Sequence, residues 1–180
     1  MRGKYLLYGT LAAGLTLFVW QTISQVALPW HEATIKAFTN NGAVIDAIRA
    51  NSSGNGVYVA PQGLVAAVSF TPDLADKTKA MGGNLVKQAG IDLVVALILC
   101  VLVGRIGVGR KRDTALTLAL AALAAGIMKE ISDWNWYGFS ASYASVNVID
   151  LVIQFALAGA VIAWFYKREM QGTAASAGGV

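Results

Sequence analysis

The stretch TALTLALAALAAGIMKEI (Thr114–Ile131), followed after the aromatic segment DWNWYGF (Asp133–Phe139) by VNVIDLVIQFALAGAVIAWFY (Val146–Tyr166), decides how the chain is read. A helix needs about 20 predominantly apolar residues to cross the hydrocarbon core of a bilayer, and each run is close to that length. A soluble domain has no use for two such runs in succession. They read as a transmembrane hairpin, and its direction constrains everything that precedes it.

Two further runs lie upstream. Tyr5–Ala27 follows the basic start Met1-Arg2-Gly3-Lys4. It extends past Trp20, and Ser24–Leu28 presents no clean small-residue cleavage site, so an uncleaved helix is favoured over a signal peptide. Pro29 then ends it, because proline cannot continue the hydrogen-bond ladder. The next run begins with a helix-start signal at Thr71-Pro72-Asp73: a hydroxyl cap, a proline in the first turn and an acid beside it. That helix is expected to enter the membrane near Gly83 and to end near Val103-Gly104. Arg105–Arg112 forms a short basic loop, and Asp113 caps the third span. The fourth ends at Lys167-Arg168, and the small-residue tail Gly172–Val180 is expected to be disordered.

Between the first two spans the pattern changes. Trp30–Ala50 reads as an amphipathic surface helix through Ile35, Phe38, Val44, Ile45 and Ile48, with a break at Asn40-Asn41-Gly42. Val57–Ala60 and Leu64–Phe70 are β-branched and aromatic around Pro61-Gln62-Gly63, the pattern of two short strands and a turn. Two strands alone are marginal in water, so they must pack on the helix or on a partner. The expected fold is an all-α membrane protein, a four-helix transmembrane bundle with a small α+β insert between helices 1 and 2. Residues 1–27 form the first span and 28–82 an extracytoplasmic insert. Residues 83–168 hold the remaining spans, and 169–180 form a flexible cytoplasmic tail.

Composition agrees. Of 180 residues 56% are hydrophobic and 13% charged, against about a quarter charged in ordinary soluble domains. The net charge of +4 is spread over segment ends and makes no case for nucleic acid. A single cysteine, Cys100, lies inside an apolar run, which excludes a disulfide framework and the paired cysteines of a quinone-linked thiol oxidoreductase. A single histidine, His31, excludes bis-histidine haem within one chain. No metal site and no cofactor is expected. The first span also lacks the central acid of a four-helix small multidrug exporter.

Orientation follows from the cations. Arg2, Lys4, Arg105, Arg110, Lys111, Arg112, Lys167 and Arg168 flank span ends on one side, while Glu32, Asp46, Asp73, Asp76 and Asp133 fall on the other. The positive-inside rule then places both termini in the cytoplasm of a multi-pass protein of the cell inner membrane, with the insert and the aromatic turn outside.

Candidate site residues collect at one depth, in the outer half of the spans: Gln21, Thr22 and Gln25 on the first, Asp92 on the second, Lys129 and Glu130 on the third, Asp150 and Gln154 on the fourth. Gln21 and Gln25 share a helix face, as do Asp150 and Gln154. Ionisable groups are costly in lipid and tend to face inward and pair, with Lys129 the obvious partner for Asp92 and Asp150. Such a set reads either as a ligand or permeation site or as interhelical bonds that hold the bundle in register, and the second is the commoner use. His31, beside Glu32 and with Asp133 as another carboxylate candidate, has the chemistry for acid–base work. Adjacency on a helix does not make a dyad, however, and an interfacial or capping role is favoured. Trp134, Trp136, Tyr137 and Phe139, with His31, form a candidate interaction surface for lipid or for a protein partner, beside their ordinary role as an interfacial belt. Small residues in the last two spans permit close approach within the bundle or between copies, which leaves a homo-oligomer open.

These readings converge on a non-catalytic inner-membrane protein acting as an outer-face interaction or small-ligand and lipid-binding platform. A small oligomeric transporter or channel using the polar outer-half site is the alternative. An enzyme built on His31 ranks last.

Overall fold

The computed structural model describes residues 3–70, 77–107 and 110–177. The helix-start signal at Thr71-Pro72-Asp73 lies outside them. The chain divides into two compact units, Met1–Thr34 with Leu85–Val180 and, separately, Ile35–Asn84.

The first unit is helical. Helix α1 (Gly3–Thr22) widens into a π-helical turn (Ile23–Ala27) and stops at Leu28, immediately before Pro29. Helix α3 runs Lys77–Ile106; Gly107, at φ +80°, closes it by donating its N–H to the Val103 carbonyl. A positive φ costs glycine little, which makes it the natural stop. Helix α4 (Lys111–Gly126) continues through a second π-helical turn (Ile127–Ile131) into α5 (Ser132–Tyr137), and Gly138 at φ +71° ends the run. Helix α6 spans Ala141–Ala177, with the Ser140 hydroxyl accepting from the Tyr143 N–H at its start. Among the described residues, four helices are therefore long and apolar enough to cross a membrane.

Their surface supports that reading. A soluble bundle hides its apolar stripe and shows water a polar one. Here Leu7, Leu11 and Leu15 of α1, Val86, Val94 and Ile98 of α3, and Leu116 and Leu120 of α4 are all exposed. The interior is built from small residues: Ala13, Ala96, Ala122, Ala144, Ala158 and Ala163 are buried, around Leu17, Leu118 and Ile162. Small side chains let helix backbones approach, the main source of attraction where lipid is as apolar as leucine. Gly159 of α6 shows this best, because a Cβ there would lie 3.0 Å from the Ala115 Cα of α4.

Interhelical contacts fix an alternating direction. At one end the Tyr5 hydroxyl of α1 donates to the Cys100 carbonyl of α3 at 2.8 Å, and its ring meets Tyr166 of α6 edge-on at 5.1 Å. At the other end Trp20 of α1 reaches Asp150 of α6. The bases Lys4, Arg105, Lys111, Lys167 and Arg168 cluster in sequence around the first of these ends. There Arg168 lies over the Trp164 ring at 4.4 Å and Lys111 over the same ring at 6.0 Å.

The second unit holds α2 (Asn41–Asn51) and a hairpin of β1 (Gly56–Ala60) and β2 (Leu64–Val68), antiparallel with Tyr58 opposite Ala66. Gly63, at φ +92°, makes the turn and donates its N–H to the Ala60 carbonyl. Arg49 of α2 lies 5.7 Å over the Phe70 ring, and the Phe70 N–H donates to the Asn55 side chain. Val57, Val59 and Leu64 remain exposed, as do Ile35 and Phe38.

Four boundaries differ from expectation, each for a local reason. The surface helix expected over Trp30–Ala50 is helical only as α2: the break expected at Asn40-Asn41-Gly42 is there, and the Asn40 side chain, accepting from the Ala43 N–H, caps the helix that follows it. Glu32–Thr34 is a single 3₁₀ turn. Asp113 acts from within the first turn of α4, accepting from the Arg110 N–H, and is not itself the cap. The aromatic segment is helical through Tyr137, so the turn shrinks to the residues around Gly138. Helix α6 runs past Lys167-Arg168 to Ala177, where Gln171 and the following alanines carry no helix-breaking chemistry beyond Gly172.

Candidate functional site

The polar residues of the bundle gather at the end opposite the basic cluster. Pro29 turns the chain sharply after α1: the Ala33 N–H donates to the Pro29 carbonyl, and the Thr34 N–H and hydroxyl both donate to the His31 carbonyl. That turn folds the His31 ring back into the bundle, where it is 8% exposed. Its Nε2 lies 3.2 Å from Asp150 Oδ2, 3.1 Å from Ser24 Oγ and 3.3 Å from the Gln25 amide nitrogen. Asp150 Oδ1 accepts from Trp20 Nε1 at 2.6 Å. Trp30 Nε1 donates to both the carbonyl and the hydroxyl of Ser24, and its ring meets Trp20 and His31 edge-on. The wide turn at Ile23–Ala27 carries Ser24 and Gln25; π-turns recur at functional positions in helices.

Gln25 and Asp150 of this cluster line a cleft of about 450 Å³ between α1, α3 and α6. Gln21, Thr22 and Gln25 line it from α1, Gln88 from α3, and Asn147, Asp150 and Gln154 from α6. Phe18, Val26, Leu85 and Leu151 supply its apolar surface. Its volume falls in the range of small-molecule pockets, and its lining is more polar than is usual for one. Beyond it the core is apolar, through Leu17, Ala96, Leu99, Cys100, Ala158 and Ile162.

Of the residues singled out from sequence, Gln21, Gln25, Asp150 and Gln154 come together in this cleft, and His31 stands behind Asp150. Asp92 is not in the lining; it is buried one turn along α3 from Gln88, which donates to its Oδ1 at 2.9 Å. Lys129 does not meet Asp92 or Asp150. It forms an ion pair with Asp133 one turn along its own helix, and its side chain is 69% exposed. That pairing also takes up Asp133 as a partner, and the carboxylate His31 finds is Asp150, neither Glu32 nor Asp133. Glu130 accepts from Asn147. Trp134, Trp136, Tyr137 and Phe139 are exposed, Phe139 stacking on Tyr143 at 5.6 Å.

Sequence reasoning passed over Gln88, Asn147, Ser24, Trp20 and Trp30 as site residues. Gln88 and Asn147 had a usable signal, since each lies about one turn from a buried aspartate on its own helix. Nothing local links Trp20 or Ser24 to Asp150.

The arrangement does not form a nucleophilic relay. A Ser–His–Asp triad needs the acid on one ring nitrogen and the hydroxyl on the other, whereas Ser24 and Asp150 both address Nε2. One nitrogen can donate to Asp150 or accept from Ser24, so the histidine ties the turn after α1 to α6. Among the described residues no group of acids, histidines and cysteines could hold a metal ion. No protein-family model, curated protein or solved structure matches the chain.

Proposed function

We propose that this chain is a multi-pass protein of the cell inner membrane, a four-helix transmembrane bundle with both termini cytoplasmic, whose outer half binds a small polar ligand or lipid head group without transforming it. The observation that carries this reading is the cleft: five amides, a hydroxyl and the braced carboxylate of Asp150 converge on one space at the end away from the cluster of Lys4, Arg105, Lys111, Lys167 and Arg168. Amides both donate and accept, so they recognise polar groups without committing to chemistry. The positive-inside rule supports placing that end outside. The exposed aromatics of α5, and separately the exposed apolar residues of the insert, support a second role on the non-cytoplasmic side, contact with membrane lipid or with a protein partner.

The transporter or channel alternative needs a polar route through the inner half of the spans. The core residues there, including Leu99, Cys100, Val103 and Ile162, argue against one within a single chain. Use of one histidine nitrogen for both neighbours likewise favours binding over catalysis.

Native mass spectrometry of the protein released from membranes tests the binding reading. The wild type should retain a species of defined added mass. Gln21→Trp, which fills the cleft, and Gln154→Leu, which removes one polar wall group, should lose it. Identical spectra for all three, or no retained species in the wild type, would refute the reading.

A further inference from the structure

Asp92 lies on the face of α3 that carries Ala96, Leu99, Cys100 and Val103 into the core, one turn deeper than Gln88 in the cleft wall. It is 2% exposed. Its Oδ1 accepts from Gln88, and its Oδ2 has no hydrogen-bond partner among the described residues. Asp150 is the contrast: one oxygen takes the Trp20 indole and the other faces His31. A buried carboxylate oxygen without a donor is costly and normally answered, so in a native structure it calls for an explanation.

The cleft supplies one. None of its lining residues is a lysine or arginine. A phosphate or carboxylate ligand is recognised by just those side chains, usually arginine in a bidentate pair. The wall offers instead amides of Gln21, Gln25, Gln88, Asn147 and Gln154, whose oxygens can accept, and the carboxylate of Asp150, with Asp92 hydrogen-bonded to Gln88. That set suits a compact cation with several N–H donors.

We propose that the cleft takes a primary ammonium group, carried by a small amine or by the aminoethyl head group of a lipid, with Asp92 as its buried counter-charge. Gln88 is the link, since its amide lines the cleft and also holds Asp92. When it turns aside the ammonium reaches the carboxylate, and the remaining N–H groups bond to amide oxygens of the wall. No covalent bond is made or broken. The proposal rests on the binding reading above and goes beyond it in fixing the charge of the ligand.

The test uses the full chain in phosphatidylcholine nanodiscs, titrated with ethanolamine and followed by tryptophan fluorescence, because Trp20 donates to Asp150 in the cleft wall. A saturable change is expected with ethanolamine and none with ethylene glycol, which is of similar size and uncharged. Asp92→Asn should weaken ethanolamine binding at least about tenfold, the scale of one charge-assisted contact, while Lys129→Ala, on an exposed side chain outside the cleft, should leave it unchanged. Replacing part of the phosphatidylcholine by phosphatidylethanolamine separates the sources. A higher thermal midpoint for wild type but not for Asp92→Asn assigns the ammonium to lipid, whereas a response to ethanolamine alone assigns it to a free amine. The proposal is overturned if a folded Asp92→Asn protein binds as the wild type does, if ethylene glycol acts as well as ethanolamine, or if neither ethanolamine nor phosphatidylethanolamine has an effect. If Asp92→Asn does not fold, the wild-type comparison of ethanolamine with ethylene glycol still decides. Native mass spectra keep the two ideas apart: a retained neutral or anionic species refutes the ammonium and spares the cleft, while an empty cleft refutes both.

Discussion

Removing the Asp150 carboxylate should loosen the bundle at its polar end, and the size of the effect can be worked from two contacts. Asp150→Ala deletes the acceptor of Trp20 Nε1 at 2.6 Å and the partner of His31 Nε2 at 3.2 Å. Interhelical polar bonds in membrane proteins average about 0.6 kcal/mol and reach about 1.7. The Trp20 bond is short and goes to a carboxylate, which puts it at the upper end, near 1.5 kcal/mol by the range for charge-assisted bonds. The longer His31 contact adds about 0.6 to 1 kcal/mol. The total is about 2 to 2.5 kcal/mol. Trp20→Phe keeps the ring and removes only the N–H, so it should cost about 1 to 1.5 kcal/mol. Reversible unfolding in mixed micelles by SDS titration measures both variants and the double mutant. Because the residues share one bond, the double-mutant cycle should return a coupling of about 1 kcal/mol or more. A coupling within about 0.3 kcal/mol of zero would show that the indole and the carboxylate do not support each other, and the brace between α1 and α6 would fall with it.

Gly159→Ala should destabilise the protein by about 1 to 3 kcal/mol in the same titration, because the new Cβ meets the backbone of Ala115 at 3.0 Å and a backbone cannot swing away. Gly90→Ala in α3, where nothing lies within 4 Å, should be neutral or stabilising, and equal losses at both positions would remove the close-approach argument. Lys129→Ala should cost no more than about 1 kcal/mol, since the lysine end of its pair with Asp133 is exposed and one turn away on the same helix; a loss above about 2 kcal/mol would mean that Lys129 compensates a buried charge.

What could be read from residues alone was set by how local the governing physics is. The four long helices were legible because the cost of burying backbone and charge in lipid acts on every residue of a run. The hairpin was legible for a similar reason, since Gly63 and its β-branched flanks are a turn signal within one short segment. The depth of Gln21, Gln25, Asp150 and Gln154 followed from counting along helices, and these four do share the cleft. Pairing was not legible. Lys129 looked like the partner of Asp150 because both sit at the same depth, but rotation about a helix axis is decided by packing, and Lys129 points outward to Asp133. His31 could be brought to Asp150 only through a turn whose path depends on Pro29 and Thr34 together. Asn40 shows the same limit on a small scale. An asparagine pair before glycine signals a break or a cap equally well, and here it is both, the Ala43 N–H bonding to the cap.

The most direct measurement is the side of the membrane on which each polar segment lies. Cys100 is the chain's one cysteine and is fully buried, so it contributes a silent background to thiol labelling. New cysteines at Ser53 in the insert, Asn135 in α5 and Arg112 in the basic segment are then treated with a membrane-impermeant maleimide. Labelling of Ser53→Cys and Asn135→Cys on intact cells, with Arg112→Cys reacting only after permeabilisation, is the expected result. Reaction of Ser53→Cys and Asn135→Cys from opposite sides, or of Arg112→Cys from outside, would contradict a four-span bundle with an outward-facing cleft.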